Sequence, residues 1–258
     1  MSADTVLIDR SYKKLREQAG GAKWLREYLG LDSWDIIQEN DDFHGALNTT
    51  RWANLFKSGN GAADLVAVAD SSTASLVSGT DDNGYAAATQ GHLFWKGDNH
   101  AICTARLHIG AAITNAKMEF GFSDDVTGDV GIINDAQVTT PTWVAADGAG
   151  WVYDTDATDA TTVWQHHGVA AGTGIKTVTT LAPVASTYQR VLVALRGSSA
   201  RYMLFDANDE AQYDSGWKAD AITSTVGLTP FIIVQSRATT TKTLTVDQVT
   251  VMQKRTTA

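Results

Sequence analysis

The sequence predicts an all-β protein whose antiparallel strands pack as a two-sheet sandwich, preceded by a short helical segment. After Phe43, short apolar runs alternate with stretches of Gly, Asn, Asp, Ser and Thr, which are turn-forming residues. Several runs place apolar residues at every second position, as in Met118–Phe122. No regular alternation of strands with helices is visible, which favours a sandwich over a parallel α/β sheet. The 258 residues suffice for one sizeable core.

The first part of the chain carries a helical pattern, and we predict residues 1–40 as an N-terminal helical arm. Its apolar positions are Tyr12, Leu15, Trp24, Leu25, Tyr28 and Leu29. The last four form one stripe on a helix, and Gly30 stands where a helix would end. Such an arm either packs on the domain that follows or docks on another subunit. We predict that it mediates assembly, because its apolar face must be buried.

Residues 41–258 are predicted to form one domain, since no internal boundary is visible. The predicted strands are 65–68, 75–78, 85–88, 93–95, 102–109, 117–122, 131–133, 151–153, 163–166, 175–180, 188–195, 201–205, 231–235 and 244–252. In the last strand the apolar phase slips at Asp247-Gln248, which indicates a bulge. The stretch Asp81-Asp82-Asn83-Gly84 is typical of a tight turn. The polar segment 206–229 is predicted to be a long loop or a short helix.

Charge and composition exclude several functions. The net charge is −9, and residues 118–175 contain no Lys or Arg. Such a surface would repel a phosphate backbone, so we expect no nucleic-acid partner. No apolar run approaches the roughly 20 residues needed to cross a bilayer, and no signal-peptide pattern opens the chain. Cys103 is the only cysteine, and its apolar neighbours indicate a buried thiol.

A series of short motifs resembles one family of sandwich proteins. The motifs are Asp41-Asp42-Phe43, Trp52, SGTDDNGYAAA from residue 78, TARLHI from 104, FGFSD from 120, WVYDTDATDAT from 151, APVASTY from 182 and LTVDQVTVMQ from 244. In this order, over residues 41–253, they resemble the concanavalin-like, laminin-G-like jelly rolls of tailed-bacteriophage structural proteins. The resemblance implies a jelly-roll sandwich in the virion, as a capsid decoration or head-fibre protein. It implies no catalytic residue.

A decoration protein would bind the major capsid protein on the capsid exterior, after synthesis in the host cytoplasm. By bridging neighbouring capsid subunits, it would raise the free energy needed to separate them. Because the shell is symmetric, we expect a homo-oligomer such as a trimer. The alternative function is a glycan-binding module of a tail or head fibre that recognises the host surface. Trp143 and Trp217 stand in loop-like contexts and are the candidate sugar contacts, whereas Trp151 and Trp164 stand in apolar strands and are predicted core residues.

The acidic residues and the histidines are the candidates for an enzymatic or a metal site. Glycosidases of this fold place two carboxylates on one strand, but Glu119 has Gly121 two residues later, so no enzyme is predicted. Asp154, Asp156 and Asp159 are the best candidate for calcium, against a solvated acidic loop as the simpler interpretation. No cofactor is otherwise predicted. His166 and His167 are adjacent in a predicted strand, so they face opposite sides.

Overall fold

The structure is a computed structural model that describes residues 36–43, 51–52, 54–58, 64–67, 73–127, 131, 141–158 and 162–255. Every regular element in this part is a β-strand, which confirms the predicted class. The strands are β1 (Ile36–Asp41), β2 (Asn54–Ser58), β3 (Asp64–Ala67), β4 (Ala74–Val77), β5 (Tyr85–Thr89), β6 (Ile102–Ile109), β7 (Ala116–Ser123), β8 (Gly148–Asp154), β9 (Gln165–Ala170), β10 (Thr173–Val178), β11 (Thr187–Arg196), β12 (Ser199–Phe205), β13 (Ala211–Lys218), β14 (Thr229–Ser236) and β15 (Thr243–Lys254). The described residues include no helix able to span a membrane.

The strands form two antiparallel sheets. The eight-stranded sheet has the order β13-β12-β11-β6-β15-β4-β3, and β1 also pairs with β15. The seven-stranded sheet has the order β10-β9-β8-β7-β14-β5-β2. Most neighbours in a sheet are distant in sequence, such as β6 and β15, so the chain crosses repeatedly between the sheets. This connectivity is that of a jelly-roll sandwich.

The core lies between the two sheets and is built by strict alternation along the strands. In β7, Met118, Phe120 and Phe122 point inward, as the period-two pattern predicts. Trp151 and Trp164 are fully buried and meet edge to face, with ring centroids 6.3 Å apart. Both tryptophans are therefore core residues, as predicted. Cys103 is also fully buried, and burial raises the pKa of its thiol well above the ordinary value.

Two local predictions are confirmed in detail. At Asn83 the backbone has φ of 64°, and the Gly84 amide donates to the Asp81 carbonyl at 3.0 Å, which closes the predicted turn. In β15 the pairing with β6 shifts register between Val246 and Gln248, so the predicted bulge is present.

Three other predictions differ from the structure, and two of them concern edge strands, which carry a weak apolar signal. The described part of the sandwich includes β1, which lies before the predicted start at residue 41 and pairs with β15 along its whole length. The segment predicted as a loop or short helix contains β13, a mostly polar edge strand. Residues 93–95 form no strand, only an isolated bridge from Trp95 to Leu228. The arm before Ile36, and most of 131–133, lie outside the described residues.

Candidate functional site

The outer face of the seven-stranded sheet carries polar side chains that are buried. We call this set of residues the polar face: Lys117 and Glu119 of β7, Asp154 of β8, and Gln165 and His167 of β9, each at most 2% exposed. The strand register brings them together, because Lys117 lies opposite Asp154, and Val152 lies between Glu119 and Gln165. Alternation places these side chains on the side away from the core.

Backbone from the connection between β7 and β8 covers part of the polar face. A β-carbon on Gly131 would lie 2.7 Å from Glu119 Oε2, so the chain passes directly over this carboxylate. A side chain at position 131 would have to displace the end of the Glu119 side chain. Glu119 is therefore covered in part by the connection that follows its own strand.

Glu119 forms a buried ion pair with Lys117, at a distance of 2.8 Å between Oε1 and Nζ. The two residues are separated by one position in β7, so both side chains leave the same face of the sheet. The sequence shows no second carboxylate on the same face of this strand. In the structure, the charged partner of Glu119 is the ammonium group of Lys117. A carboxylate held in this way is not presented to a substrate.

Asp154 is bound by Arg237 through two parallel hydrogen bonds. Arg237 Nε donates to Asp154 Oδ1 at 2.9 Å, Nη2 donates to Oδ2, and Nη1 donates to Asn83 Oδ1 at 2.6 Å. The guanidinium and the carboxylate are both fully buried. One arginine therefore fastens the Asn83 turn to the end of β8.

The predicted calcium site centres on this same carboxylate. Arg237 occupies both oxygens of Asp154, and the Asp156 amide adds a hydrogen bond to Oδ1 at 3.0 Å. Partial burial raises the pKa of Asp156, Arg237 opposes this effect, and the charges of Asp154 and Asp82 add to it. Within the described ranges no group of three metal-ligating side chains is assembled. Asp159 lies outside those ranges, so the complete set of three remains a prediction.

The two adjacent histidines face opposite sides of the sheet, as predicted. His166 stacks on Tyr202 in the core with ring centroids 4.3 Å apart, and its Nε2 is 3.0 Å from the hydroxyl of Tyr213. Burial, aided by the charge of Lys218, lowers the pKa of His166 to about 3. Its imidazole is therefore neutral near neutral pH.

His167 lies on the polar face and pairs with Gln165, with Nε2 3.0 Å from Oε1. Burial lowers the pKa of His167 well below its ordinary value, and nearby Lys176 acts in the same direction. Among the described residues, His167 Nδ1 and Gln165 Nε2 have no hydrogen-bond partner. A neutral pair with unused hydrogen-bonding capacity is uncommon in a protein interior.

Trp143 borders this pair. Its ring meets the ring of His167 edge to face, with centroids 5.4 Å apart and an interplanar angle of 67°. The indole lies across Gly174 of β10, where a β-carbon would be only 1.9 Å from Cε2. Trp143 is partly buried against an apolar cluster on the same outer face, formed by Tyr85, Ala87, Val152, Val169, Phe231 and Ile233.

The two tryptophans predicted as sugar contacts do not come together. Trp143 lies on the outer face of the seven-stranded sheet, whereas Trp217 packs on the outer face of the eight-stranded sheet. The thickness of the sandwich separates them, so they cannot contribute to one binding site. The predicted assembly residues Tyr12, Leu15, Trp24, Leu25 and Tyr28 lie outside the described residues.

The sequence interpretation missed most of the polar face. Lys117, Gln165 and Arg237 were not singled out. A usable signal was present in β7, where Lys117 and Glu119 alternate with the apolar Met118 and Phe120. Charged residues at alternate positions of a strand indicate a polar sheet face, although not the buried ion pair that they form.

Comparisons with known proteins identify the fold but no family. No family model matches the chain, and no curated protein matches its sequence. Among solved structures, a protein of unknown function from Shewanella oneidensis has a TM-score of 0.60 at 15% identity, over 86% of this chain and 89% of that one. Peanut lectin bound to a nine-residue peptide has a TM-score of 0.57 at 11% identity, over 86% and 99%. An endo-acting O-glycanase of the human gut microbiota has a TM-score of 0.54 at 9% identity, over 84% and 98%.

These similarities show a concanavalin-like jelly-roll fold of the legume-lectin type. Carbohydrate-recognition domains and a further legume lectin also occur among the neighbours, alongside a pseudo-β-1,3-glucanase. At such low identities the likeness concerns the fold alone. Nothing in these neighbours links the chain to a phage particle, so the virion role stays a prediction.

Proposed function

We propose that this chain is a non-catalytic glycan-binding module whose sugar contacts lie around Trp143 on the outer face of the seven-stranded sheet. The observation that carries the proposal is the indole of Trp143, laid across Gly174 beside the neutral His167–Gln165 pair. The recurrence of lectins and carbohydrate-recognition domains among the neighbours supports it.

The arrangement suits a sugar ring for physical reasons. A pyranose presents an apolar face of C–H groups and a rim of hydroxyls, so it needs an aromatic surface beside polar partners. Trp143 supplies the aromatic surface, and the buried His167, paired with Gln165, packs against the indole and holds it in place. On β10, Lys176 lies opposite His167, and Val178 is 40% exposed on the same face. This outer strand would extend the contact beyond the indole.

The same face argues against hydrolysis. Glu119 is paired with Lys117 and covered at Gly131, and Asp154 is held by Arg237. A glycosidase needs one carboxyl group as acid and a second as base or nucleophile, both facing the substrate. We therefore expect no release of reducing sugar from a panel of polysaccharides. Measurable hydrolysis that is lost in Glu119→Gln would contradict the non-catalytic proposal.

A glycan array tests the binding itself. The full chain should bind at least one class of glycan, and Trp143→Ala should lose that signal while remaining folded by circular dichroism. An array without any signal above a denatured-protein control would overturn the proposal.

A glycan-binding module agrees with the predicted alternative, host recognition from a tail or head fibre. The other proposal is decoration of the capsid exterior. In that case the chain would be a homotrimer, and its partner would be the major capsid protein. Cryo-electron microscopy of purified particles distinguishes the two. Density for the sandwich in many copies on the icosahedral lattice would support decoration, and density only at fibres would support host recognition.

A further inference from the structure

Asp147 is a buried carboxylate that is bound by backbone amides of two other segments. It lies immediately before β8 and is 4% exposed. The Thr223 amide donates to Oδ1 at 2.5 Å, and the Ala171 amide donates to Oδ2 at 3.3 Å. Among the residues that the structure describes, no cation forms an ion pair with this carboxylate. The two amides therefore take the place of a charged partner.

A second carboxylate lies close to Asp147. The amide of Asp124 donates to the Asp147 carbonyl at 2.9 Å. Partial burial raises the pKa of Asp124, hydrogen bonds from the backbone lower it, and the charge of Asp147 raises it again. A buried charge without a cation and two neighbouring carboxylates both disfavour folding. Such departures from what stability favours are expected where a residue serves a function.

The contact with Thr223 connects Asp147 to the core of the sandwich. Ala221 and Ile222, which directly precede Thr223, are at most 1% exposed and belong to the main core cluster. A β-carbon on Gly168 would lie 2.7 Å from the β-carbon of Ala221, so this loop packs tightly against β9. The amide that binds Oδ1 is therefore held in place by core packing.

The contact with Ala171 connects Asp147 to the turn between β9 and β10. The Gly172 amide donates to the Ala146 carbonyl at 2.7 Å, so two adjacent residues before β8 bind two adjacent residues of this turn. Two positions after Gly172 comes Gly174, the residue that Trp143 approaches most closely in β10. The same short segment therefore carries the indole and binds the hairpin against which the indole packs.

We propose that Asp147 is a positioning residue for the glycan site, because its carboxylate holds the segment with Trp143 against β10 and the core. Asp147 lies four residues after Trp143 and acts through it without touching the ligand. The inference rests on the proposed glycan binding, but the position of the indole can be measured without a glycan. In Asp147→Asn an NH₂ group replaces one acceptor oxygen and would face an amide donor, so one of the two contacts is lost.

Fluorine NMR of the full chain, labelled with fluorinated tryptophan, tests the position of the indole. Each tryptophan signal is assigned by its loss in the corresponding Trp→Phe variant. In Asp147→Asn the signal of Trp143 should shift or broaden, while the signals of the buried Trp151 and Trp164 should stay unchanged. If this variant does not fold, Asp147→Ser, which keeps one acceptor oxygen, should give the same result. An unchanged Trp143 signal, or an equal change in the core signals, would overturn the proposal.

Glycan affinity tests the consequence for binding. The Kd of Asp147→Asn should rise about fivefold or more. The matched control is Asp125→Asn, because the Asp125 carboxylate accepts the amide and the hydroxyl of Thr127 within its own loop. This control should keep both the Trp143 signal and the affinity.

The two measurements separate this inference from the proposed function. A chain that binds no glycan would refute the proposed function, whereas the fluorine signal would still decide whether Asp147 positions the indole. Unchanged affinity in Asp147→Asn, despite a shifted Trp143 signal, would overturn the role of Asp147 in binding while glycan binding itself stands.

Discussion

The indole of Trp143 occupies the space in which Gly174 would otherwise carry a side chain. An ideal β-carbon on Gly174 would lie 1.9 Å from Cε2 and 2.1 Å from Cζ2 of the ring. Glycine at this position of β10 therefore lets the indole approach the strand closely, next to His167. The proposed sugar-binding surface therefore depends on glycine at position 174 as much as on Trp143.

Gly174→Ala should displace Trp143 from the sheet. The added methyl group cannot share the space of the ring, so we expect glycan affinity to fall about tenfold or more, equivalent to about 1.4 kcal/mol. The tryptophan emission spectrum should shift at the same time. Thr173→Ala, one residue earlier in β10, is the matched control and should bind as the wild type does. Unchanged affinity in Gly174→Ala would show that this position of the indole is not needed.

Arg237→Met should be strongly destabilising, because it leaves the carboxylate of Asp154 buried without its cation. We expect a loss of about 3–5 kcal/mol in the free energy of unfolding, measured by urea denaturation. Arg201→Met is the control, since its partner Asp214 is 37% exposed and the pair should contribute at most about 1 kcal/mol. Equal losses in the two variants would contradict this account of the buried pair.

Acid should destabilise the fold through the buried histidines. In the unfolded chain an imidazole takes up a proton below about pH 6.5, whereas His166 stays neutral in the folded protein down to about pH 3. The unfolded state therefore binds more protons in this window. The stabilisation is complete above about pH 6.5 and is lost as the pH falls, by about 1.4 kcal/mol per pH unit for each such histidine.

The pKa of His167 is lowered in the same direction. The free energy of unfolding should therefore fall less between about pH 7 and pH 5 in His167→Gln than in the wild type. The matched control is His92→Gln, which removes an imidazole from the exposed surface. Identical pH dependence in all three proteins would exclude a role for buried neutral histidine.

Calcium should not stabilise the protein. Arg237 already holds both oxygens of Asp154, so a cation would have to displace a buried guanidinium. We expect the Tm to stay within about 1 °C when millimolar calcium is added or when a chelator removes it. A calcium-dependent rise that disappears in Asp156→Asn would instead support the site formed by Asp154, Asp156 and Asp159.

Local patterns predicted the central strands well. The bounds of β6 agree with the prediction, and the inward face of β7 follows from the alternation of Met118, Phe120 and Phe122. The edge strands were missed for a physical reason. β13 has one pairing neighbour and exposes much of its surface, so its residues need not be apolar.

The candidate site was predictable only in part, because it depends on contacts between distant segments. Trp143 and Trp217 have similar loop-like neighbours in the sequence, but Trp217 lies in β13, and only the strand order places the two residues on opposite faces. Asp154 and Arg237 are 83 positions apart, so no local spacing reveals their pairing. The sequence indicates which residue types are available, and the sheet topology determines which of them meet.

Titration calorimetry with the best glycan from the array tests the central claim most directly, because the two candidate tryptophans lie on opposite faces. Trp143→Ala should weaken binding about tenfold or more, whereas Trp217→Ala should change the Kd by less than about twofold. Full affinity in Trp143→Ala, or a loss in Trp217→Ala as large as that in Trp143→Ala, would contradict a glycan site on the outer face of the seven-stranded sheet.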